Sequence, residues 1–246
     1  MKALKFLFIF VLIISCKSNK DIKKQDASIK KNAPNIVYIL ADDMGYGDLS
    51  SLNPKSGIQT PHMDKMLKEG VHFTEAHTNS SVCTPTRYGI ITGRYAWRSS
   101  LKKGVLNGYK PALIEESRPT VASYLKSNGY KTACIGKWHI GLGMQTKDGA
   151  KSVRVKDGIS NVDFTKRIKD PSDLGFDYSY IIPASLDIAP YVYIENGKAL
   201  ELPTDYTKGK YAGRGIKWRP GEKAPSFVFE NVLDNFTKKS VSFIDN

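Results

Sequence analysis

Three short stretches of this chain carry residues with chemical capability. The first is CTPTRYGIITGR (83–94), in which Cys83 lies two residues before Pro85 and four before Arg87 at what reads as a helix start. The second is Asp42-Asp43, which follows the apolar run NIVYILA (35–41) directly. The third is GKWHIG (136–141), where Lys137 and His139 close another apolar run, KTACI (131–135). Paired carboxylates suit a hard divalent cation such as Ca²⁺. A cation, a helix N-terminus, Arg87 and Lys137 all favour a tetrahedral oxyanion. His139 is able to give a proton to a reacting group or take one from it. Taken singly, each has a bland use: a solvated turn, a surface charge, a packed indole, an idle small residue.

What raises them above that is the order of elements between them. NIVYILA, β-branched and apolar, reads as a strand buried on both faces, as in a parallel sheet. Thr60-Pro61 opens a helix that stops at Gly70, and Val71-His72-Phe73 reads as a second short strand. A third element, helical, runs from near Cys83 to Thr92-Gly93, and Thr120 caps another over VASYLKS. KTACI is then a further buried strand, with Cys134 as a core residue. Alternating helices and apolar strands predict an α/β fold with a largely parallel sheet. In such sheets ligands bind beyond the carboxyl ends of the strands, where Asp42-Asp43 and Lys137–His139 would sit. Residues 144–173 read as a polar surface insertion. Tyr191–Ile194 followed by Asn196-Gly197 reads as a hairpin with an Asn-Gly turn. Residues 228–244 have helical spacing.

The rest of the chain sets the context. Its 246 residues, 41% of them hydrophobic, supply one sizeable core, and no internal repeat is present. MKALKFLFIFVLIIS (1–15) has the form of a signal peptide, and Ile-Ile-Ser-Cys at 13–16 resembles a bacterial lipobox, making Cys16 the expected site of a lipid anchor. The lysine-rich residues up to position 34 read as a tether. Of the +13 formal charge, +6 falls in residues 1–31, which hold eight lysines and two aspartates, and +7 remains for the body. That excess suits an anionic ligand, and no nucleic-acid motif accompanies it. Three cysteines, Cys16, Cys83 and Cys134, make neither a disulfide framework nor a zinc site.

CTPTRYGIITGR resembles the first signature of the formylglycine-dependent sulfatases, Cys-x-Pro-Ser/Ala-Arg, with Thr86 in place of the usual Ser or Ala. GKWHIG is similar to the second signature. TPHMDKMLKEGVHFTEAH (60–77) resembles the family's helix-strand unit, with His62 where asparagine is commoner, and Asp42-Asp43 matches its metal-binding pair. The resemblance implies an alkaline-phosphatase-like α/β/α sandwich over residues 35–246. It also implies a maturation enzyme that oxidises Cys83 to formylglycine, whose hydrate attacks the sulfur of a sulfate ester and later expels sulfate. Asp42 and Asp43 would hold one Ca²⁺, which the nucleophile made from Cys83 also reaches. Arg87 would steady the nucleophile, Lys137 bind sulfate and His139 handle the second hydroxyl. Ser185, in GFDYSYIIPASLD (175–187), falls where the family places a serine near the substrate, and Asp187 is a weaker substrate contact. The substrate expected is a sulfated small molecule or glycan, met at a bacterial cell envelope. The second metal-binding pair and the later His and Lys of sulfatases have no counterpart before Asn246. The resemblance is therefore to the N-terminal part of a sulfatase, expected to be poorly stable and inactive by itself. A phosphate or phosphonate monoester hydrolase of the same superfamily, or a glycan-binding relative without turnover, would share most of these features.

Overall fold

The computed structural model describes residues 33–213 and 215–246. The expected signal peptide, Cys16 and most of the tether lie outside the described residues. The helices come where the sequence puts them. α1 spans Pro61–Glu69, with proline at its first position. α2 spans Cys83–Thr92 and closes on Gly93, whose φ of 64° and N–H bond to the Gly89 carbonyl (2.8 Å) form a left-handed cap. α3 spans Val121–Ser127, and the Thr120 hydroxyl accepts from the Ser123 N–H at 3.0 Å. α4 spans Val232–Ile244.

The main sheet has four strands in the order β1 (Ala133–Lys137), β4 (Tyr178–Ile182), β5 (Ile194–Glu195) and β6 (Lys198–Ala199). β1 and β4 pair in parallel from Ala133↔Tyr178 to Lys137↔Ile182, and the other two ladders are antiparallel. The sheet described is thus mixed, with one parallel ladder, rather than largely parallel. The β5–β6 turn is the expected Asn-Gly hairpin, with φ of 48° at Asn196 and 78° at Gly197. α4 covers one face: Phe243 stacks on Tyr178, Phe236 meets Tyr180 edge-on, and Lys239 Nζ reaches Glu195 at 2.7 Å. The opposite face carries Ser179 and Ile181, both fully buried.

Three expectations are corrected. Residues 35–41 form no sheet ladder and are exposed, Ile39 to 74%. An apolar run specifies a strand only when neighbouring strands take up its N–H and C=O groups, and none does so here among the described residues. Val71–Phe73 likewise forms no strand and lies exposed. Residues 144–173 are not a mere surface insertion. They hold the small ladder β2 (Val155–Lys156) and β3 (Ile159–Ser160), and they bury Val162, Phe164 and Ile168 in the core. Asp170, also buried, accepts from the N–H groups of Ser172 (3.0 Å) and Gly197 (2.8 Å) and from the Ser179 hydroxyl. A buried carboxylate so supplied with donors ties the segment to the sheet. Beyond the main sheet, β7 (Asp205–Thr207) pairs with β10 (Gly221–Lys223), and β8 (Lys210–Ala212) pairs with β9 (Ile216–Trp218).

Candidate active site

α2 and the end of β1 are fastened together, and that joint is the site. Thr84, fully buried, donates from its hydroxyl to the His139 carbonyl (2.8 Å) and accepts from the Leu106 N–H (3.1 Å). Arg87 donates from Nη1 to the Lys137 carbonyl at 2.6 Å. The first turn of α2 is thereby held against the Lys137–His139 stretch on two sides. The stretch itself continues the parallel ladder, since the N–H groups of Trp138 and His139 donate to the carbonyls of Ile182 and Pro183, each at 3.1 Å. His139 has a φ of 59°, left-handed and unusual for a residue with a side chain, as strained backbone at functional positions often is. Just beyond, Gly141 has φ 78°, and a Cβ there would lie 2.0 Å from the Pro111 carbonyl oxygen, so only glycine fits.

The side chains converge accordingly. Lys137 Nζ donates to Asp42 Oδ2 at 2.7 Å and to Cys83 Sγ at 3.2 Å. The Lys137 side chain is 9% exposed and that of Asp42 is 47% exposed, so the ion pair runs from the floor of the site to its rim. Arg87 Nη2 lies 4.0 Å from Asp42 Oδ1. Burial pulls the Arg87 guanidinium below its usual pKa, and the negative charge of Asp42 opposes that shift. Cys83, at the first position of α2 and half-buried, is where a developing anion would meet helix N–H groups and the Lys137 ammonium.

His139 is buried, and burial pushes its pKa down to about 4, so it is neutral near pH 7. Its Nε2 lies 2.7 Å from the Leu106 carbonyl, which can only accept, so Nε2 carries the proton. Nδ1 is then a bare lone pair, buried and without a partner among the described residues. This tautomer makes His139 an acceptor of protons rather than a donor.

The structure brings together Cys83, Arg87, Lys137 and Asp42, with His139 on the same joint. It does not join the remaining candidates to them. Asp43 is exposed, with φ 56°, and has no hydrogen bond among the described residues. Ser185 lies in the loop after β4, where its carbonyl accepts from the Ile188 N–H at 2.9 Å, and its hydroxyl has no bond to the cluster. Asp187 pairs instead with Arg219 at 3.4 Å. Thr84 and the Leu106 carbonyl are the positions sequence reasoning missed. Thr84 sits inside the CTPTR motif, where a buried hydroxyl was there to be asked about, whereas nothing in the sequence marks Leu106. Among the described residues no group of three His, Cys, Asp or Glu side chains stands close enough to hold a metal ion. Asp42, moreover, is engaged by Lys137. Two carboxylates fall short of the roughly six to eight oxygens that Ca²⁺ takes, so the residues described do not by themselves fit the ion.

Residues 34–213 match the family model described as Sulfatase. The chain belongs to the sulfatase family. Among curated sulfatase relatives, an N-acetylgalactosamine-6-O-sulfatase of Bacteroides thetaiotaomicron is 36% identical over 219 residues, 88% of this chain and 39% of the relative. Arylsulfatase A of Bos taurus is 41% identical over 110 residues, 45% of this chain and 22% of the relative. A solved structure described under the metabolism of multiple glycosaminoglycans by Bacteroides thetaiotaomicron superposes with a TM-score of 0.67 at 34% identity, covering 86% of this chain and 48% of that one. The fold is therefore the alkaline-phosphatase-like α/β fold of the sulfatases, and this chain spans less than half the length of these relatives. Sulfatase membership implies a formylglycine and a divalent cation.

Proposed function

We propose that this chain carries the nucleophile half of a sulfate-ester hydrolase acting on sulfated glycans. The observation that carries the reading is the single contact set of Lys137, whose ammonium touches both Cys83 and Asp42 in a signature-bearing joint. Cys83 fits a formylglycine position: it heads a helix, stands beside a buried ammonium and lies in a Cys-x-Pro-x-Arg frame. Oxidised by a maturation enzyme and hydrated, this residue would supply a geminal diol, one hydroxyl for attack on sulfur and one for expelling sulfate. Lys137 and Arg87 bind and orient the anionic sulfate, and being mostly buried they do so with little screening. His139, neutral with Nδ1 unprotonated, accepts a proton from a hydroxyl of the nucleophile. Asp42 and Asp43 would offer carboxylate oxygens of the kind a hard cation such as Ca²⁺ takes, without completing its site. Ser185 contacts substrate from the loop after β4. The relatives' printed names, an N-acetylgalactosamine-6-O-sulfatase among them, support a sulfated sugar as substrate. The lipobox-like Ile-Ile-Ser-Cys supports export to a bacterial envelope with a lipid anchor on Cys16.

The test is the tryptic peptide Glu69–Arg87 by mass spectrometry, from protein made with a maturation enzyme, followed by turnover of an aryl sulfate and an aryl phosphate by a form that carries this sequence within a chain of its relatives' length. The expected result is an aldehyde at Cys83 and preference for the sulfate. A thiol at Cys83, while a control sulfatase in the same cells is converted, removes the nucleophile and the reading with it. Preference for the phosphate moves the chain to the phosphomonoesterase branch of its superfamily.

A further inference from the structure

The ribbon formed by β8 and β9 stands outside the site and is built unlike a solvated hairpin. From Tyr206 to Arg219 the sequence holds five cations, Lys208, Lys210, Arg214, Lys217 and Arg219, and no carboxylate. Two of these cations face aromatic rings across the ribbon. Lys210 pairs with Trp218 in register and its Nζ sits 5.1 Å from the indole centroid. Lys217 pairs with Tyr211, its Nζ 6.0 Å from the phenol ring. Lys208, Lys210 and Lys217 have no carboxylate partner among the described residues. Trp218 is itself fixed: Phe229 stacks on it at 4.1 Å, and its Nε1 donates to the Thr207 hydroxyl at 3.2 Å. Tyr211, in contrast, is 79% exposed, an aromatic ring held in solvent. An open cleft of about 320 Å³ lies among these side chains.

The root of the ribbon is locked to the loop that bears Ser185. Arg219 donates its N–H to the Asp187 carbonyl (3.1 Å) and pairs with the Asp187 carboxylate, while its own carbonyl accepts from the Tyr191 hydroxyl (2.8 Å). A Cβ on Gly221 would lie 2.3 Å from that of Ala189, so the two segments are in close contact. The ribbon is thus fixed in place against the loop that bears Ser185.

We infer that the β8–β9 ribbon is a subsite for an anionic saccharide: Lys210 and Lys217 bind sulfate or carboxylate groups, and Tyr211 offers its face to a sugar ring. Cations held over rings lose less freedom on binding an anion, and the rings supply an apolar face that a pyranose can cover. The choice of a sulfated sugar as ligand rests on the sulfatase reading, whereas the surface itself does not.

The experiment is calorimetric titration of the full chain with a chondroitin 6-sulfate hexasaccharide, repeated for Lys210→Ala/Lys217→Ala, Tyr211→Ala and Tyr211→Phe. Two lost charge-assisted contacts should weaken binding at least about tenfold. Tyr211→Ala should weaken it several-fold and Tyr211→Phe should not, with melting temperatures unchanged. No binding by the parent chain, or equal binding by the double variant, overturns the inference. So does a single-stranded DNA of equal charge that binds as tightly, since the surface would then read charge alone. The mass of the matured peptide Glu69–Arg87 separates the two readings. Binding that depends on Lys210, Lys217 and Tyr211 while Cys83 stays a thiol upholds the subsite and removes the hydrolase. An aldehyde at Cys83 with binding indifferent to these residues does the opposite.

Discussion

Residues 33–82 and residues 83–246 are built to different standards, although the candidate site draws on both. None of residues 33–82 is buried, while the whole hydrophobic core, from Tyr88 to Val232, belongs to the second region. The first region meets the second through a few polar contacts: Asp42 with Lys137 and Arg87, Asn79 Nδ2 with the Pro85 carbonyl at 2.7 Å, and the Thr86 hydroxyl with the Ser80 carbonyl at 2.7 Å. Cys83, Arg87, Lys137 and His139 are therefore held by packing and strand pairing. The carboxylates expected to carry the cation are held by an ion pair at the rim. Cys83 and the cations beside it are preorganised by 83–246 on its own residues, and the Asp42-Asp43 pair on 33–82 is not.

The largest effect should come from truncating matched isoleucines in the two regions. Ile181→Ala, in the fully buried face of β4, should cost about 2–5 kcal/mol in urea unfolding. Ile39→Ala, at an exposed position with no ladder, should stay within about 0.5 kcal/mol. A cost at Ile39 approaching that at Ile181 would mean that 35–41 is covered in solution, and the contrast between the regions would collapse.

A second effect belongs wholly to the packed region. Burial lowers the pKa of His139 from its ordinary 6.5 to about 4, so the unfolded chain binds the proton more readily than the folded one between those values. Stability is then full above pH 6.5 and falls as pH drops toward 4, by up to about 3 kcal/mol from this residue. Unfolding free energies measured across that window should rise with pH in the parent chain and rise less in His139→Gln. An unchanged slope in the variant would assign the acid sensitivity to other groups whose pKa the fold lowers; the buried Glu222 is not one of them, since burial raises its pKa and its contribution runs in the opposite direction.

How far the sequence was readable follows the same division. α2 was legible because its cysteine, proline and arginine form a motif and Gly93 marks the stop, both local signals. The Asn196-Gly197 turn was legible for the same reason. Lys137 and His139 were found because they end an apolar run, although the strand itself is shifted two residues later, to Ala133–Lys137. NIVYILA carries the strongest strand signal in the chain and forms no ladder, because burial on two faces is a property of neighbours and not of the run. Ile168 and Asp170 were hidden inside a polar stretch, where a few buried side chains are enough to fasten a segment whose average composition looks solvated. The Thr84–Leu106 link was illegible because it depends on a loop returning to a helix start from twenty-two residues away.

The smallest effect tests the bond between the regions directly. Asp42→Asn removes the charge from the rim but keeps an oxygen that can accept from Lys137, and Lys137 retains Cys83 as a second contact. Asp42 is half exposed, so its ion pair should contribute less than about 1 kcal/mol to stability. That contribution should shrink further between 0.1 M and 1 M salt, as the Debye length falls from about 10 Å to about 3 Å. Unfolding of the parent chain and Asp42→Asn at both salt concentrations measures it. A small, salt-sensitive difference fits a first region lightly held to a core that stands without it. A cost of several kcal/mol that salt leaves untouched would instead describe a buried pair, with residues 33–82 packed onto the site. The carboxylates would then share the preorganisation of Cys83 and Lys137.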